Sequence, residues 1–340
     1  MYNLYCTLKG GFFIPNTLNL SALRLLNLYK TNFIKDRRRK IMNEKFSTLN
    51  LIGNTPIIKL PNENIFIKME KFNPSGSVKD RAALGLIRDA IEKKLLEEDS
   101  VIVEPTSGNT GISLALMGRV LGYKVIIVMP ETMSEERRNL IKSYGASLIL
   151  TDGSKGMSGA IKKANELLLE DKKYFMPDQF NNKANSEIHY MTTGNEIIKQ
   201  ISDLDIFVAG VGTGGTFTGV SKRLKEYNKN IITIAAEPKA SAVLSGENPG
   251  KHKIQGIGAG FIPSIYDGQY ASDILRISDE EAENTAVEVS KLIGMLVGIS
   301  TGANVCAARK IAQKYGSGKK IVTISPDGGE KYLSILNYND

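Results

Sequence analysis

The chain has 340 residues, 42% of them hydrophobic and 24% charged, the composition of a soluble globular protein long enough for about two domains. No apolar run is long enough to cross a bilayer, and Cys6 and Cys306, with only His189 and His252 beside them, give neither a disulfide framework nor a metal site. The formal charge of +8 does not mark a nucleic-acid-binding body, because residues 1–41 set eight basic side chains against Asp36 alone and so hold +7 of it.

Residues 1–45 carry leucines at 18, 20, 23, 25, 26 and 28, then the cluster Arg37-Arg38-Arg39-Lys40, and are poor in acids. That composition suits an organelle transit peptide. The alternative, a true start at Met42 behind an upstream extension of the reading frame, is favoured here. Either way the segment is expected to be disordered or non-native, and removing residues 1–41 to leave stability and activity nearly unchanged.

Beyond it, short apolar runs at 101–104, 124–129, 147–150, 206–210, 231–237 and 321–325 alternate with helical patterns near 109–121, 134–144, 156–169, 186–202, 216–227 and 302–315. Such alternation predicts an α/β fold of βαβ units, with parallel sheets covered on both faces and ligands at the carboxyl ends of the strands. A polar, Asn-rich loop at 178–184 divides the chain into two doubly wound βα domains, 46–184 and 185–340.

Asn73-Pro74-Ser75-Gly76-Ser77-Val78-Lys79-Asp80-Arg81 opens a helix whose buried face is Ala83, Ile87, Ala90, Ile91 and Leu95. Ser77 and Asp80 read as a capping box, with Ser77 as N-cap. Lys79 then stands in the first turn, where the unpaired N–H groups disfavour a cation. If it is also desolvated, its amine becomes available for a Schiff base. A solvated lysine at a helix start is equally compatible with these residues.

Two junctions add chemistry. Pro105-Thr106-Ser107-Gly108-Asn109-Thr110-Gly111 brings hydroxyls, an amide and backbone N–H groups to one helix N-terminus, more than a cap needs and suited to a carboxylate or another anion. Val211-Gly212-Thr213-Gly214-Gly215-Thr216 reads as a phosphate cradle or as a tight turn. It lacks the P-loop lysine and the last glycine of the dinucleotide fingerprint, against both a nucleoside triphosphate and NAD. Further on, residues 256–263 form a glycine-rich loop. The hydroxyls of residues 298–304 either meet a ring nitrogen or cap a helix.

Leu51-Ile52-Gly53-Asn54-Thr55-Pro56, residues 74–81 and 105–111, Met133-Ser134-x-Glu136-Arg137-Arg138, and residues 212–216 and 256–263 together resemble the cysteine synthases (O-acetylserine sulfhydrylases). These are pyridoxal-phosphate enzymes of fold type II, the tryptophan-synthase-β-like kind, and the resemblance runs from residue 51 to 333. It implies a cofactor in the cleft between the domains, with Lys79 as Schiff-base lysine and general base. Asn109 would meet the cofactor 3′-oxygen; Gly212, Thr213, Gly214, Gly215 and Thr216 the phosphate; and Ser300 the ring nitrogen. Thr106, Ser107, Thr110 and Gln179 would hold the substrate carboxylate, with Gly256 beside the substrate.

The implied reaction is β-replacement of acetate in O-acetyl-L-serine by sulfide, through an α-aminoacrylate intermediate and with no metal. A neutral hydroxyl at Ser300 leaves the ring a weak electron sink, which suits elimination of a good leaving group. The resemblance also implies a homodimer, cytoplasmic unless residues 1–45 are a transit peptide, with docking of the C-terminal tail of serine acetyltransferase in the active site. Asn182-Lys183, Asn195 and Asn304 depart from the usual pattern. The alternatives are a cystathionine β-synthase-like or O-phosphoserine-using relative of the same fold, or a catalytically silent regulatory binder. Gly260-Phe261-Ile262-Pro263 favours O-acetylserine.

Overall fold

The structure is a computed structural model, and it describes residues 41, 42, 44, 47–106 and 108–338. Two sheets organise it. The larger is built from β1 (Ile57–Lys59), β2 (Ile65–Met69), β7 (Ile206–Gly210), β8 (Ile232–Pro238), β9 (Asp273–Ile277) and β10 (Ile321–Ser325), in the order β1-β2-β10-β7-β8-β9. All its pairings are parallel except that of the edge strand β1 with β2. The smaller is fully parallel, in the order β5 (Ser147–Thr151), β4 (Lys124–Pro130), β3 (Val101–Pro105) and β6 (Tyr174–Phe175). Although β1 and β2 lie early in the chain, they join the sheet otherwise made by residues 206–325.

Residues alternate between the two faces of each strand, so the apolar runs need helices on both sides. On the large sheet, Val208, Ile234 and Ile321 pack against α8 (Asp279–Ile293) and α9 (Ile299–Tyr315) through Ala286, Val289, Ala303 and Ile311. Phe207, Ala235 and Val322 on the other face meet Ile197 of α6 (Asn195–Gln200) and Phe217, Val220 and Leu224 of α7 (Gly215–Tyr227). The small sheet is covered on one face by α1 (Lys79–Glu92), α2 (Asn109–Leu121) and α3 (Glu135–Ser143), and on the other by Ala160, Ala164 and Leu167 of α4 (Gly156–Glu170).

The helix expected over 186–202 is present as a continuous run from 184 to 200, but it is not α-helical throughout. α5 (Ala184–His189) passes through a π-helical turn, Tyr190–Gly194, before α6 begins. Thr192 Oγ1 donates to Ile188 O at 2.6 Å, and Thr193 Oγ1 bonds His189 Nδ1 at 2.9 Å, side-chain bonds that accompany the widened turn.

Ile41 and Met42, assigned to the N-terminal extension by sequence, are helical here, and Met42 is buried among Leu49, Ala83 and Ile112. The described body therefore takes in Ile41 and Met42. The expectation for 1–41 does not carry over to a cut that removes Met42. Met42→Ala is expected to lower stability by about 2 kcal/mol, the low end for emptying a buried methionine site, measured as a shift in thermal unfolding.

A buried ion network fixes α1 to the larger sheet. Arg81, 1% exposed, donates from Nε to Glu70 at 2.7 Å and from Nη1 to Glu196 at 2.6 Å, while Lys68 Nζ reaches Glu196 at 2.7 Å. Burial alone would raise the Glu196 carboxyl, but the hydrogen bonds and charges of Arg81 and Lys68 hold it down to about 2. These four side chains come from β2, the turn after it, α1 and α6, so the start of α1 is pinned by segments that precede and follow it in the chain.

Candidate active site

Lys79 is the first residue of α1, and two backbone contacts place it at the carboxyl end of β10. Val78 N–H donates to Pro326 O at 2.8 Å, and Ser77 pairs with Asp327 in an isolated antiparallel bridge. The capping box expected of Ser77 and Asp80 does not form. Lys79 N–H does donate to Ser77 Oγ at 3.3 Å, but the Asp80 carboxylate turns the other way. It accepts from Ser75 N–H at 2.7 Å, from the Ser75 hydroxyl, and from Ser113 Oγ on α2 at 2.6 Å. A tertiary partner outbid the local one.

Lys79 is half-buried and lines a cavity with Gly210, Gly212, Thr213, Gly214, Thr216, Gly256, Asn304, Ile324 and Pro326. Burial drives its amine below the ordinary lysine range, and the negative charge of Asp327 opposes that drop. The same cavity wall holds the glycine cradle between β7 and α7. A Cβ at Gly212 would collide with Gly256 O, and one at Gly215 with Asn185 Oδ1, so neither position tolerates a side chain. Asn185 Nδ2 donates to Thr213 Oγ1 at 3.0 Å, and Thr216 Oγ1 bonds His189 Nε2 at 3.2 Å. Burial, with the charges of Arg81 and Lys79 adding to it, keeps His189 a neutral imidazole, its pKa pushed down to about 3.

Thr106, Thr110 and Gln179 form a neighbouring group at the end of β3 rather than part of the cavity wall. Thr110 Oγ1 donates to Gln179 Oε1 at 2.6 Å, and Thr106 Oγ1 accepts Gly108 N–H at 3.3 Å. Ser107 lies outside the described residues. Asn109, at the start of α2, is held from two sides: its Nδ2 donates to Asp327 Oδ2 at 2.7 Å and its Oδ1 accepts from Lys331 Nζ at 2.8 Å. Ser300, in the first turn of α9, is buried opposite Gly256, where an added Cβ would meet only Ser300 Oγ, at 3.9 Å.

Sequence reasoning missed the residues that tie these groups together. Glu104 accepts N–H from Asp178 at 3.1 Å and Gln179 at 3.3 Å, and Asn185 Nδ2 also donates to Gln179 O at 2.8 Å, so one chain of bonds runs from β3 to Thr213. Asn304 accepts Gly210 N–H at 2.7 Å and donates to Ile324 O at 2.7 Å, bridging the ends of β7 and β10 beneath the cradle.

Burial pushes the Glu104 carboxyl up to about 8 from 4.5, against the two backbone N–H groups that favour its ionised form. Between those two values the folded chain keeps a proton that the unfolded chain has released. Stability from this group is therefore full below 4.5 and is lost as pH rises through 8. Glu104→Gln, which keeps the neutral shape, is expected to lose less thermal stability than wild type between pH 5 and pH 8. Identical slopes would refute the assignment.

Residues 48–327 match the family of pyridoxal-phosphate-dependent enzymes. A cysteine synthase of Staphylococcus aureus (strain Mu50) is 49% identical over 297 residues, covering 85% of this chain and 96% of that protein. Among solved structures, the O-acetylserine sulfhydrylase (cysteine synthase) of Entamoeba histolytica superposes with a TM-score of 0.83 at 44% identity, covering 85% of this chain and 89% of that one. A hydrogen sulfide-producing enzyme of Fusobacterium nucleatum gives 0.82 at 47%, covering 85% and 99%. The residues present fit the cofactor of that family. The cradle is without side chains at Gly212 and Gly215, the hydroxyls of Thr213 and Thr216 stand beside it, and a lysine amine opens into the same cavity. On sequence, fold and site alike, this chain belongs to the pyridoxal-phosphate-dependent enzymes of fold type II.

Proposed function

We propose that the chain makes L-cysteine from O-acetyl-L-serine and sulfide. The observation that carries this reading is the shared cavity, in which the depressed amine of Lys79 and the cradle of residues 212–216 meet at the carboxyl ends of β7 and β10. Bound pyridoxal phosphate supplies an electron sink for the substrate Cα.

The chain's own residues do the rest. Gly212, Thr213, Gly214, Gly215 and Thr216 hold the phosphate, with neutral His189 and Asn185 fixing the two threonines. Asn109 orients the ring through its 3′-oxygen, and Ser300 offers the ring nitrogen a neutral hydroxyl. Thr106, Ser107, Thr110 and Gln179 bind the substrate carboxylate, and Gly256 leaves room for the substrate. Lys79 Nζ takes the proton from Cα, holds it while acetate leaves Cβ and sulfide adds there, and returns it to Cα. Its lowered pKa keeps a fraction of the amine neutral and ready to accept that proton. Closure of the carboxylate loop over the substrate excludes water from the reacting carbons.

The same reading makes the chain a homodimer in the cytoplasm, whose cleft also accepts the C-terminal tail of serine acetyltransferase; the division expected at 184 is crossed by β1 and β2, which belong to the sheet of residues 206–325. Among the described residues, no helix is long and apolar enough to cross a membrane. Light scattering tests the dimer, and a peptide copy of such a tail, added as a competitor of O-acetylserine, tests the docking.

The function itself is tested by following cysteine formation by the cofactor-loaded protein from O-acetylserine and sulfide. Production no faster than the uncatalysed mixture would overturn it.

A further inference from the structure

Asp327 follows β10 and lies where elements of both sheets meet. It is buried, Ser77 at the entry to α1 pairs with it, and the carbonyl just before it accepts Val78 N–H. Its Oδ2 accepts from Asn109 Nδ2 and from the Tyr332 hydroxyl, each at 2.7 Å. Its Oδ1 is also buried and has no hydrogen-bond partner. A Cβ at Gly298 would occupy the space of that oxygen, so the glycine just ahead of α9 leaves room for it.

A buried carboxylate with one bare oxygen is costly unless an opposite charge compensates it. Four titratable groups feel its charge. Lys331 shares it: after burial, which lowers the amine, Asp327 is the largest charge acting on it, while the amine donates to Asn109 Oδ1 at 2.8 Å and Gly76 O at 3.2 Å, with Asp80, Glu330 and Arg137 also around it. Tyr332, which carries Arg137 over its ring, and Tyr338 are both held neutral by burial. Lys79 is the other cation, and Asp327 is the charge that draws its amine back toward the protonated form; His189 is neutral.

The amide of Asn109 is also settled by its two neighbours. Nδ2 faces the Asp327 carboxyl and Oδ1 faces the Lys331 amine, the orientation in which each amide atom meets its complement. One Nδ2 hydrogen is spent on Asp327 and the other is left over.

We propose that Asp327 is a positioning residue with two tasks, fixing the Asn109 amide in one orientation and serving as the counter-charge for a proton on Lys79 Nζ whenever that amine is free. The second task bears on the reaction, because Lys79 must hold the Cα proton for part of each cycle, and a fixed negative charge stabilises the ammonium without being consumed. The proposal rests on the roles given above to Lys79 and Asn109, and its test does not need turnover.

The experiment uses the full chain, stripped of cofactor, as wild type, Asp327→Asn and Tyr332→Phe. Each is labelled with trinitrobenzenesulfonate over a pH series, and modification of Lys79 is read by peptide mass spectrometry. In Asp327→Asn the Lys79 midpoint is expected to fall by about one pH unit, which is roughly tenfold more reactive amine below both midpoints. In Tyr332→Phe, which removes a hydrogen bond and no charge, the midpoint is expected to stay where it is. An unchanged midpoint in Asp327→Asn, or an equal fall in Tyr332→Phe, overturns the counter-charge. Titrating pyridoxal phosphate back by absorbance should show about tenfold weaker binding to Asp327→Asn, a mismatch worth one lost oriented hydrogen bond. Unchanged binding overturns the positioning of Asn109. Asp327→Ser makes the same charge removal if the asparagine variant does not accumulate folded. Failure of these results leaves cysteine synthesis by wild type as a separate question, settled by its own assay.

Discussion

Lys79→Ala is expected to fold, to lose the visible absorbance of the bound cofactor, and to lose at least about a thousandfold in cysteine formation, the scale of removing a group that is both nucleophile and general base. Folding should survive because the position asks little of the side chain. Lys79 begins α1, alanine is an excellent helix former there, and the entry of the helix is held by Val78, Ser77 and Arg81 rather than by the amine. The amine itself is a cost to the fold, since burial depresses it and only Asp327 offsets that cost. Chemistry should not survive. The other lysine near the site, Lys331, is tied to Asn109 and to the carbonyls of Ser75 and Gly76, and it is absent from the cavity wall that Lys79 shares with the cradle. Circular dichroism melting, absorbance and steady-state rates read the three limbs separately. A variant that kept both the absorbance and the rate would remove Lys79 from its role.

Two of the junctions are legible because each is one contiguous loop. The strand-to-loop-to-helix junctions at 105–111 and 211–217 are written in sequence, and the fold delivers each to the carboxyl end of its strand. What was illegible depends on partners far away in the chain. Asp80 has the spacing of a capping residue, yet Ser113 on another helix competes for its carboxylate. A capping box does form at Ser278 and Glu281, opening α8, where the sequence carries the same Ser-x-x-acid spacing. β1 and β9 are only partly buried, so they lack the continuous apolar run that marked the inner strands. Glu104, Asn185, Asn304 and Asp327 are single polar residues whose meaning comes from what the topology sets beside them. No spacing rule reaches from Gly210 to Asn304 or from Asn109 to Asp327.

O-acetylserine is expected to exceed O-phosphoserine and serine in kcat/KM by at least about a hundredfold, the scale of one uncompensated polar mismatch. The carboxylate loop treats the three amino acids alike, so the discrimination must arise around the β-substituent. Lys79 is the one cation among the residues lining the cavity, and away from the phosphate cradle the loop Gly256, Ile257, Gly258, Ala259, Gly260 and Phe261 is small or apolar throughout. A neutral acetyl ester suits such walls, whereas a dianionic phosphate would be desolvated there without a partner, at a cost of several kcal/mol. Serine is small enough, but with Ser300 in its proposed place the ring nitrogen would meet a neutral hydroxyl rather than a carboxylate, and hydroxide would leave poorly. Two further cations stand close by, on the side of the carboxylate loop. Lys331 is occupied by Asn109, while Arg137, buried beneath Gly108, has an Nε–H with no partner. Arg137 is therefore where the expectation is most exposed. Steady-state rates with the three donors and sulfide decide it. Equal or better use of O-phosphoserine would overturn the selectivity, and loss of that use in Arg137→Gln would locate the cation responsible.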